Sequence, residues 1–417
     1  MKKSLISNVA QAALGQGLEK AIAFVVIAVL ARAVEHSLLG EFFFAIGVLT
    51  LVAMLTEFGT SRYLVRAVTA APDRAALELG QVLRIRLALV SAALVVVNTW
   101  VALAEPGLLR VFVPVSLYVL GTDLYYALGA TLLGLQRVGR RVVTGLIGPA
   151  VLLLMVPIGV ALGWGFTALL VIHALSALVM LAISWRVTGA VAGSPVLSGG
   201  IAELRGVLAQ AGPLFVVALA VLLHSKLDEL MLAALRGYEE VATYGAGYKL
   251  LEVSRMAVRP AFMVLLPVFA ALAVTGDWIV YRRNTFRLLW GAFGVGVFVA
   301  LGVVPFAGWI VPIVFGASWT EAVPITRILF LSAPALFAGQ AAVLIATALY
   351  LVRQVIVLAG VAVLLNGMAN LWAIPQWGPA GAAWATLCTE GLFAVAVGGL
   401  VLAKLRTQID AAAVGER

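Results

Sequence analysis

The chain has little of what a soluble protein carries. Only 11% of its 417 residues are charged, 63% are hydrophobic, and the mean hydropathy is +1.10. Because soluble domains carry about 25% charged residues, this composition excludes a soluble domain and predicts a chain made mostly of membrane-spanning helix. A single cysteine, Cys388, excludes a disulfide framework and a cysteine-based metal site.

Motifs of soluble enzymes are also missing. The histidines lack the spacing of metal ligands, and neither a Walker A sequence nor G-x-G-x-x-G occurs. Gly291, Gly294 and Gly296 lack the spacing of a phosphate loop and instead indicate close packing of a helix. No predicted loop is long enough for a catalytic or nucleotide-binding domain. The sequence therefore predicts no metal, no cofactor and no enzyme, so any uphill transport must be driven by an ion gradient or by downstream consumption.

Apolar runs of bilayer length, separated by short polar or Gly/Pro breaks, number about twelve. They cover residues 9–33, 40–65, 85–104, 108–135, 141–162, 164–187, 206–234, 241–273, 286–312, 323–350, 353–373 and 379–404. The predicted fold class is therefore an all-α polytopic membrane protein. The largest internal polar connection predicts an N-terminal lobe at 1–190, a cytoplasmic linker at 191–205 and a C-terminal lobe at 206–417. Weakly similar halves predict two pseudo-symmetric six-helix bundles that enclose a central cavity.

Positive charge is unevenly distributed along this topology. With a cytoplasmic N-terminus, about nineteen of the 28 Lys and Arg residues fall on the inside and about four on the outside. The net charge of +9 therefore indicates topology rather than nucleic-acid binding. The distribution of positive charge predicts an even number of spans with both termini in the cytoplasm.

The first residues also resemble a cleavable signal peptide, because Lys2 and Lys3 precede an apolar core. However, apolar character already begins near Val9, and Glu19 and Lys20 interrupt the segment. We therefore expect residues 1–33 to be retained as the first helix.

Four charges lie within the apolar stretch 241–273. Lys249, Glu252, Arg255 and Arg259 are spaced so that all fall on one side of a helix. Because each charge costs roughly 2.5 to 3.5 kcal/mol at a bilayer centre, this face must meet water, partners or a charged substrate. Glu252 can pair with Lys249 or Arg255. The predicted substrate-binding cations are therefore Arg255 and Arg259 first, then Lys249, with Lys20 from the first span.

Carboxylates in the apolar spans are candidates for ion coupling. Glu57, Asp123 and Glu390 stand alone in their spans, and burial disfavours the charged form of a carboxylate, so each could exchange protons near neutral pH. Glu252 is the fourth candidate. The polar residues from His224 to Asp228 lie toward the predicted outer end of span seven, where an exposed helix end and a site are equally compatible with the sequence.

Short motifs along nearly the whole chain resemble the polysaccharide transporter branch of the multidrug/oligosaccharidyl-lipid/polysaccharide exporter superfamily, which contains the O-antigen-type flippases. They include Glu57-Phe58-Gly59 with Leu64-Val65-Arg66, Gly134-Leu135-Gln136-Arg137, the segments 227–232, 242–249 and 314–319, and Trp377-Gly378-Pro379-Ala380-Gly381. Glu35-His36-Ser37 departs from the Leu-Gly-Pro-like turn of the family. The resemblance settles no site residue.

The resemblance implies a flippase that moves an undecaprenyl-pyrophosphate-linked oligosaccharide, an O-antigen or exopolysaccharide repeat unit, by alternating access. It also implies a multi-pass protein of the cytoplasmic (inner) membrane of a bacterial or archaeal cell. Its implied partners are the lipid-linked oligosaccharide, membrane lipids, H⁺ or Na⁺ as coupling ion, and other glycan-assembly proteins. Three alternatives stay open. They are a multidrug exporter of the related branch, a flippase of the peptidoglycan lipid precursor, and a membrane glycosyltransferase or polymerase.

Overall fold

A computed structural model of the chain describes the backbone of residues 2–196 and 201–415. Within these ranges, the side chains of residues 2–10, 13, 201–203, 211–225, 256–261, 263, 264, 267 and 412–415 are not described. The described backbone is almost entirely helical and contains no strand. It divides into two compact units, Met1–Leu223 and His224–Arg417. The lobe boundaries expected around a linker at 191–205 remain a prediction.

The helices of the first unit follow the predicted spans closely. They are α1 (Lys2–Ala33), α2 (His36–Glu57), α3 (Thr60–Ala70), α4 (Ala75–Ala104), α5 (Leu109–Gly134), α6 (Val138–Ala161), α7 (Phe166–Ala192) and the first part of α8 (Ile201–Arg236). Helix α5 packs against α7 and α4, while α1 packs against α6. A buried apolar cluster that includes Leu64, Leu79 and Leu128 joins α3, α4 and α5.

The second predicted span is broken near its end, between α2 and α3. Phe58 and Gly59 both have left-handed backbone conformations, with φ of 48° and 75°. Two successive left-handed residues end α2 and redirect the chain into α3, and glycine adopts this conformation without steric cost. The turn places Glu57, the last residue of α2, beside the start of α3.

The second unit contains the end of α8 and the remaining helices. They are α9 (Tyr238–Thr275), α10 (Trp278–Val303), α11 (Ala307–Phe315), α12 (Ala322–Leu331), α13 (Ala333–Ala348) and α14 (Val352–Gly415). The sequence predicts close helix packing at three glycines of α10, and the structure confirms it at one of them. A Cβ atom on Gly296 would lie 2.5 Å from Cα of Pro334, whereas Gly291 and Gly294 have open space beside them.

The number of spans can be judged from helix length and composition. Among the described residues, eight helical segments can cross a membrane, or nine if α12 and α13, bent by 41°, form one broken span. Helix α14 has 64 residues and a non-helical residue at Gly378, so it holds two stretches of bilayer length. Helices α8 and α9, of 36 and 38 residues, are only partly described. This architecture confirms an all-helical, multi-pass membrane protein and accommodates the predicted twelve spans.

Candidate functional site

A buried carboxylate, Asp228 of α8, organises the polar interior of the second unit. Its Oδ2 accepts hydrogen bonds from the hydroxyls of Tyr244 at 2.6 Å and Thr386 at 2.8 Å. Its Oδ1 accepts a third from Nδ2 of Asn370 at 2.6 Å. Because buried carboxylates are tolerated only when hydrogen-bonded or paired, these donors explain how α8, α9 and α14 hold a charge in an apolar unit. We call these four residues the Asp228 cluster.

Both halves of α14 contribute to this interior. Nδ2 of Asn370 donates to Oδ1 of Asn366 at 3.0 Å, and Nδ2 of Asn366 donates to Oγ1 of Thr389 at 3.3 Å. Residues 23 positions apart on one straight helix could not touch, so the contact depends on the break at Gly378, where φ is 54° and ψ is −133°. Glu390, the residue after Thr389, is buried with 8% of its surface exposed.

The charged face predicted on α9 lies next to the Asp228 cluster. Nζ of Lys249 donates to Oε2 of Glu252 at 2.8 Å, which is one of the two pairings that the spacing allows. Nη1 of Arg255 lies 3.5 Å from the hydroxyl of Tyr248, whose ring stacks on Tyr244 with 5.9 Å between centroids. Arg255 itself is half-buried.

Arg255 also interacts electrostatically with Glu252 on its own helix and with Glu390 on α14. Four predicted site residues, two cations and two carboxylates, are therefore connected by one ion pair and by electrostatic interactions with Arg255. We call Lys249, Glu252, Arg255 and Glu390 the mixed-charge cluster. The fifth candidate of this unit, Arg259, has its backbone in α9, but its side chain lies outside the described residues.

In the first unit, a fully buried arginine corrects the prediction that two carboxylates stand alone. Nη2 of Arg86 donates to Oε1 of Glu57 at 2.8 Å, and Nη1 lies 3.3 Å from Oδ1 of Asp123. The same guanidinium donates to the hydroxyls of Thr60 at 2.9 Å and Ser61 at 2.6 Å. Arg86 lies at the start of the predicted span 85–104, and its exposure is 0%. We call Glu57, Arg86 and Asp123 the Arg86 network.

The two carboxylates of this network differ in their surroundings. Glu57 also accepts hydrogen bonds from the backbone N–H groups of Gly59 at 2.7 Å and Ser61 at 2.6 Å, so it caps the first turn of α3. Asp123 is 4% exposed, and its Oδ2 accepts no hydrogen bond from any described residue. Glu57 is therefore tied to the fold, while Asp123 retains acceptor capacity for a proton or another donor.

Another ion pair in this unit lies between α1 and α6. Nη1 of Arg141 donates to Oε1 of Glu19 at 3.1 Å, and its guanidinium lies 4.8 Å from the ring centroid of Tyr125. Gly145 leaves the space for this pair, since a Cβ there would lie 2.6 Å from the Tyr125 hydroxyl and closer still to the charged groups. Lys20, the candidate cation of α1, is exposed and adjacent to this pair in sequence.

Sequence reasoning did not identify Arg86 or Asp228 as parts of polar networks. A usable signal was present for both. Two carboxylates in apolar spans require a cation, and Arg86 stands just inside the predicted third span. Asn366 and Asn370, one helical turn apart in an apolar span, mark a polar helix face. Among the described residues, no group of three or more His, Cys, Asp or Glu side chains could hold a metal ion.

A family profile described as "Polysaccharide biosynthesis protein" matches residues 5–273, more than half of the chain. The chain belongs to this family. No curated protein sequence matches the chain significantly. The family match covers the first unit, the Asp228 carboxylate and nearly all of α9, so it includes both the Arg86 network and the charged face.

Solved structures of the MOP superfamily share the fold of this family member. An inward-facing multidrug resistance MATE family transporter has a TM-score of 0.76 at 12% identity, covering 94% of this chain and 96% of that one. The lipid II flippase MurJ, in an inward closed conformation, has 0.70 at 10% identity, covering 93% and 86%. A MOP superfamily transporter from Pyrococcus furiosus has 0.66 at 12% identity, covering 97% and 96%. These likenesses show a transporter fold along nearly the whole chain.

Proposed function

We propose that the protein is a flippase that moves an undecaprenyl-pyrophosphate-linked oligosaccharide, an O-antigen or exopolysaccharide repeat unit, across the cytoplasmic membrane by alternating access. Family membership supports a role in polysaccharide biosynthesis, and the transporter fold supports movement across a membrane. The observation that carries the proposal is the half-buried Arg255 in the mixed-charge cluster.

Arg255 has the chemistry that a pyrophosphate requires. A guanidinium can bind phosphate oxygens through two parallel hydrogen bonds, and such charge-assisted bonds are stronger where water is scarce. Its contact with the hydroxyl of Tyr248, at 3.5 Å, is at the limit of a hydrogen bond. Among the contacts of the described residues, this weak hydrogen bond is one that Arg255 would lose at small cost on binding a phosphate. Lys249 is already paired with Glu252, so it is the weaker candidate, and Arg259 extends the same face by one turn.

The carboxylates that interact with Arg255 provide a route for coupling transport to an ion. Glu390 and an anionic substrate would compete for the same guanidinium, because each stabilises the positive charge of the half-buried Arg255. Protonation of Glu390 would release Arg255 to the pyrophosphate, and deprotonation after transport would displace the product. Asp123 is the corresponding candidate in the first unit, since its Oδ2 accepts no hydrogen bond from a described residue. This scheme makes H⁺ the coupling ion, with Na⁺ at these carboxylates as the alternative.

The test measures translocation of the lipid-linked oligosaccharide by the purified protein in proteoliposomes. Arg255→Ala should lower the rate roughly 10- to 150-fold, because a hydrogen bond to a charged group contributes about 1.5 to 3 kcal/mol. Arg255→Lys should keep part of the activity. Arg110→Ala is the matched control, because Arg110 pairs at 2.9 Å with Glu41 and its side chain is 52% exposed.

Normal translocation by Arg255→Ala, in protein inserted at the level of the control, would remove Arg255 from the mechanism. Parallel assays with other substrates decide between the alternative functions. Translocation of the peptidoglycan precursor instead of the oligosaccharide would indicate that type of flippase, and protection of a sensitised strain from cationic drugs would indicate a multidrug exporter. Glycan extension in detergent, without vesicles, would indicate a glycosyltransferase or polymerase. The localisation with both termini in the cytoplasm is tested by accessibility of tags at each end.

A further inference from the structure

A groove of about 990 Å³ lies on the second unit, between the first turns of α10 and the last turns of α14. Its charged lining consists of Arg282, Arg283 and Arg287 from α10, and of Arg406 and Asp410 from α14. Four guanidinium groups therefore face one carboxylate. The ion pair between Arg406 and Asp410 spans 4.0 Å with both side chains largely exposed, so it neutralises little of this positive charge.

The same groove has apolar side chains among and beyond its charges. Phe286 and Trp290 line it with exposures of 41% and 67%, and Leu402 and Ile409 line the facing side on α14. Arg283 and Trp290 are seven residues apart on one helix face, which is about 10 Å at 1.5 Å per residue. Trp290 and Leu402 therefore lie beyond the arginines toward the membrane interior, whereas Phe286 and Ile409 lie among the charged residues.

We propose that this groove binds an anionic glycerophospholipid of the surrounding leaflet, with the arginines on the lipid phosphate and Phe286 and Trp290 against its acyl chains. Basic grooves between membrane-spanning helices suit acidic headgroups, and tryptophan is favoured at the level where headgroup meets hydrocarbon. Arg282, Arg283 and Arg287 come from a single helix end, so they remain together whatever conformation the transporter adopts.

The apolar side chains of the groove distinguish a membrane lipid from a soluble anion. Inorganic phosphate or a nucleotide would use the arginines and gain nothing from an exposed Trp290. The groove lies wholly within the second unit and contains none of the mixed-charge cluster, so the inference does not depend on the proposed transport reaction. Lipid bound there would anchor α10 to α14 at one membrane surface.

The experiment measures binding of phosphatidylglycerol and phosphatidylcholine to the purified full-length protein by native mass spectrometry in detergent. We expect phosphatidylglycerol to bind at least about tenfold more tightly. The double variant Arg283→Gln/Arg287→Gln should lose about 30-fold in affinity for it, because each basic residue near an anionic surface strengthens binding about fivefold. The control Arg137→Gln/Arg353→Gln removes two other exposed arginines and should bind as the unchanged protein does.

A second variant, Trp290→Ala, keeps every charge and should weaken phosphatidylglycerol binding, while an excess of glycerol phosphate should compete poorly. Equal binding of the two lipids, or equal loss in the control and the double variant, would overturn the proposal. Displacement of the lipid by millimolar glycerol phosphate would also overturn it, because the groove would then be a simple anion site. Helix content measured by circular dichroism in each variant separates lost binding from lost folding.

Discussion

Removal of the buried guanidinium of Arg86 is the sharpest test of how the first unit is held together. Arg86→Met keeps an unbranched apolar stem, shortens the side chain and removes the charge and the donors. Its partners Glu57 and Asp123 are then left as two carboxylates in a buried site, with Thr60 and Ser61 each losing a donor to its hydroxyl. We expect loss of stability rather than selective loss of transport.

The magnitude follows from the contacts. Arg86 is 0% exposed, and breaking a buried pair by removing one partner costs about 3 to 5 kcal/mol. For a unit of about 220 residues this corresponds to a fall in melting temperature of roughly 6 to 20 °C. Neutralising the carboxylates as well, by Glu57→Gln and Asp123→Asn, should recover most of the lost free energy of unfolding. The remaining cost is about 1 kcal/mol, because a neutral amide caps α3 less well than the Glu57 carboxylate does.

The assay is thermal unfolding in detergent, followed by the fluorescence of the ten tryptophans and by circular dichroism. The charge-neutral triple variant is the essential comparison, since it separates unpaired charge from lost packing. Arg110→Ala, at an exposed pair, should change the free energy of unfolding by less than about 1 kcal/mol. A triple variant that melts lower than Arg86→Met would refute the reasoning, because removing two unpaired charges must then have cost free energy rather than relieved it.

Three further predictions concern other contacts. Glu390→Gln should make translocation in proteoliposomes insensitive to an imposed proton gradient while substrate binding persists, and an unchanged gradient dependence would exclude Glu390 as the coupling group. Gly296→Ala should destabilise the protein by about 1 to 3 kcal/mol in thermal unfolding, because its Cβ would meet Cα of Pro334 at 2.5 Å, whereas Gly294→Ala, beside open space, should not. Gly145→Ala should displace the ion pair of Glu19 and lower the melting temperature, and a melting curve like that of Gly294→Ala would contradict this.

Most of the fold was accessible from the sequence because bilayer thickness fixes helix length. Apolar runs marked the helices, but several helix ends lie outside the predicted spans: α4 begins ten residues and α10 eight residues before the predicted start. The turn between α2 and α3 was harder to find. Phe58 and Gly59 lie inside the predicted span 40–65, where composition does not reveal a change of direction, and only their positive φ distinguishes them. The break at Gly378, by contrast, falls in the predicted gap between the spans 353–373 and 379–404.

Only part of the candidate site could be predicted from the sequence. Helical spacing correctly placed Lys249, Glu252 and Arg255 near one another, because residues three or four apart share a helix face. The proximity of Glu390 could not be inferred, since it depends on how α14 packs against α9. The same limit applies to Arg86 and Asp123, which lie 37 residues apart and meet only through packing of α4 on α5.

Arg86 and Arg255 differ in their exposure and in the number of hydrogen bonds that they donate. Arg86 donates five hydrogen bonds and is inaccessible, so releasing it would cost several kcal/mol, and a substrate anion could not offset that cost without dismantling α2, α3 and α5. Arg255 is half-buried, touches the Tyr248 hydroxyl at 3.5 Å, and interacts with two carboxylates. The proposed transport cycle requires a cation that exchanges partners as substrate binds and leaves. The contacts of Arg255 fit that proposed role, whereas the contacts of Arg86 do not.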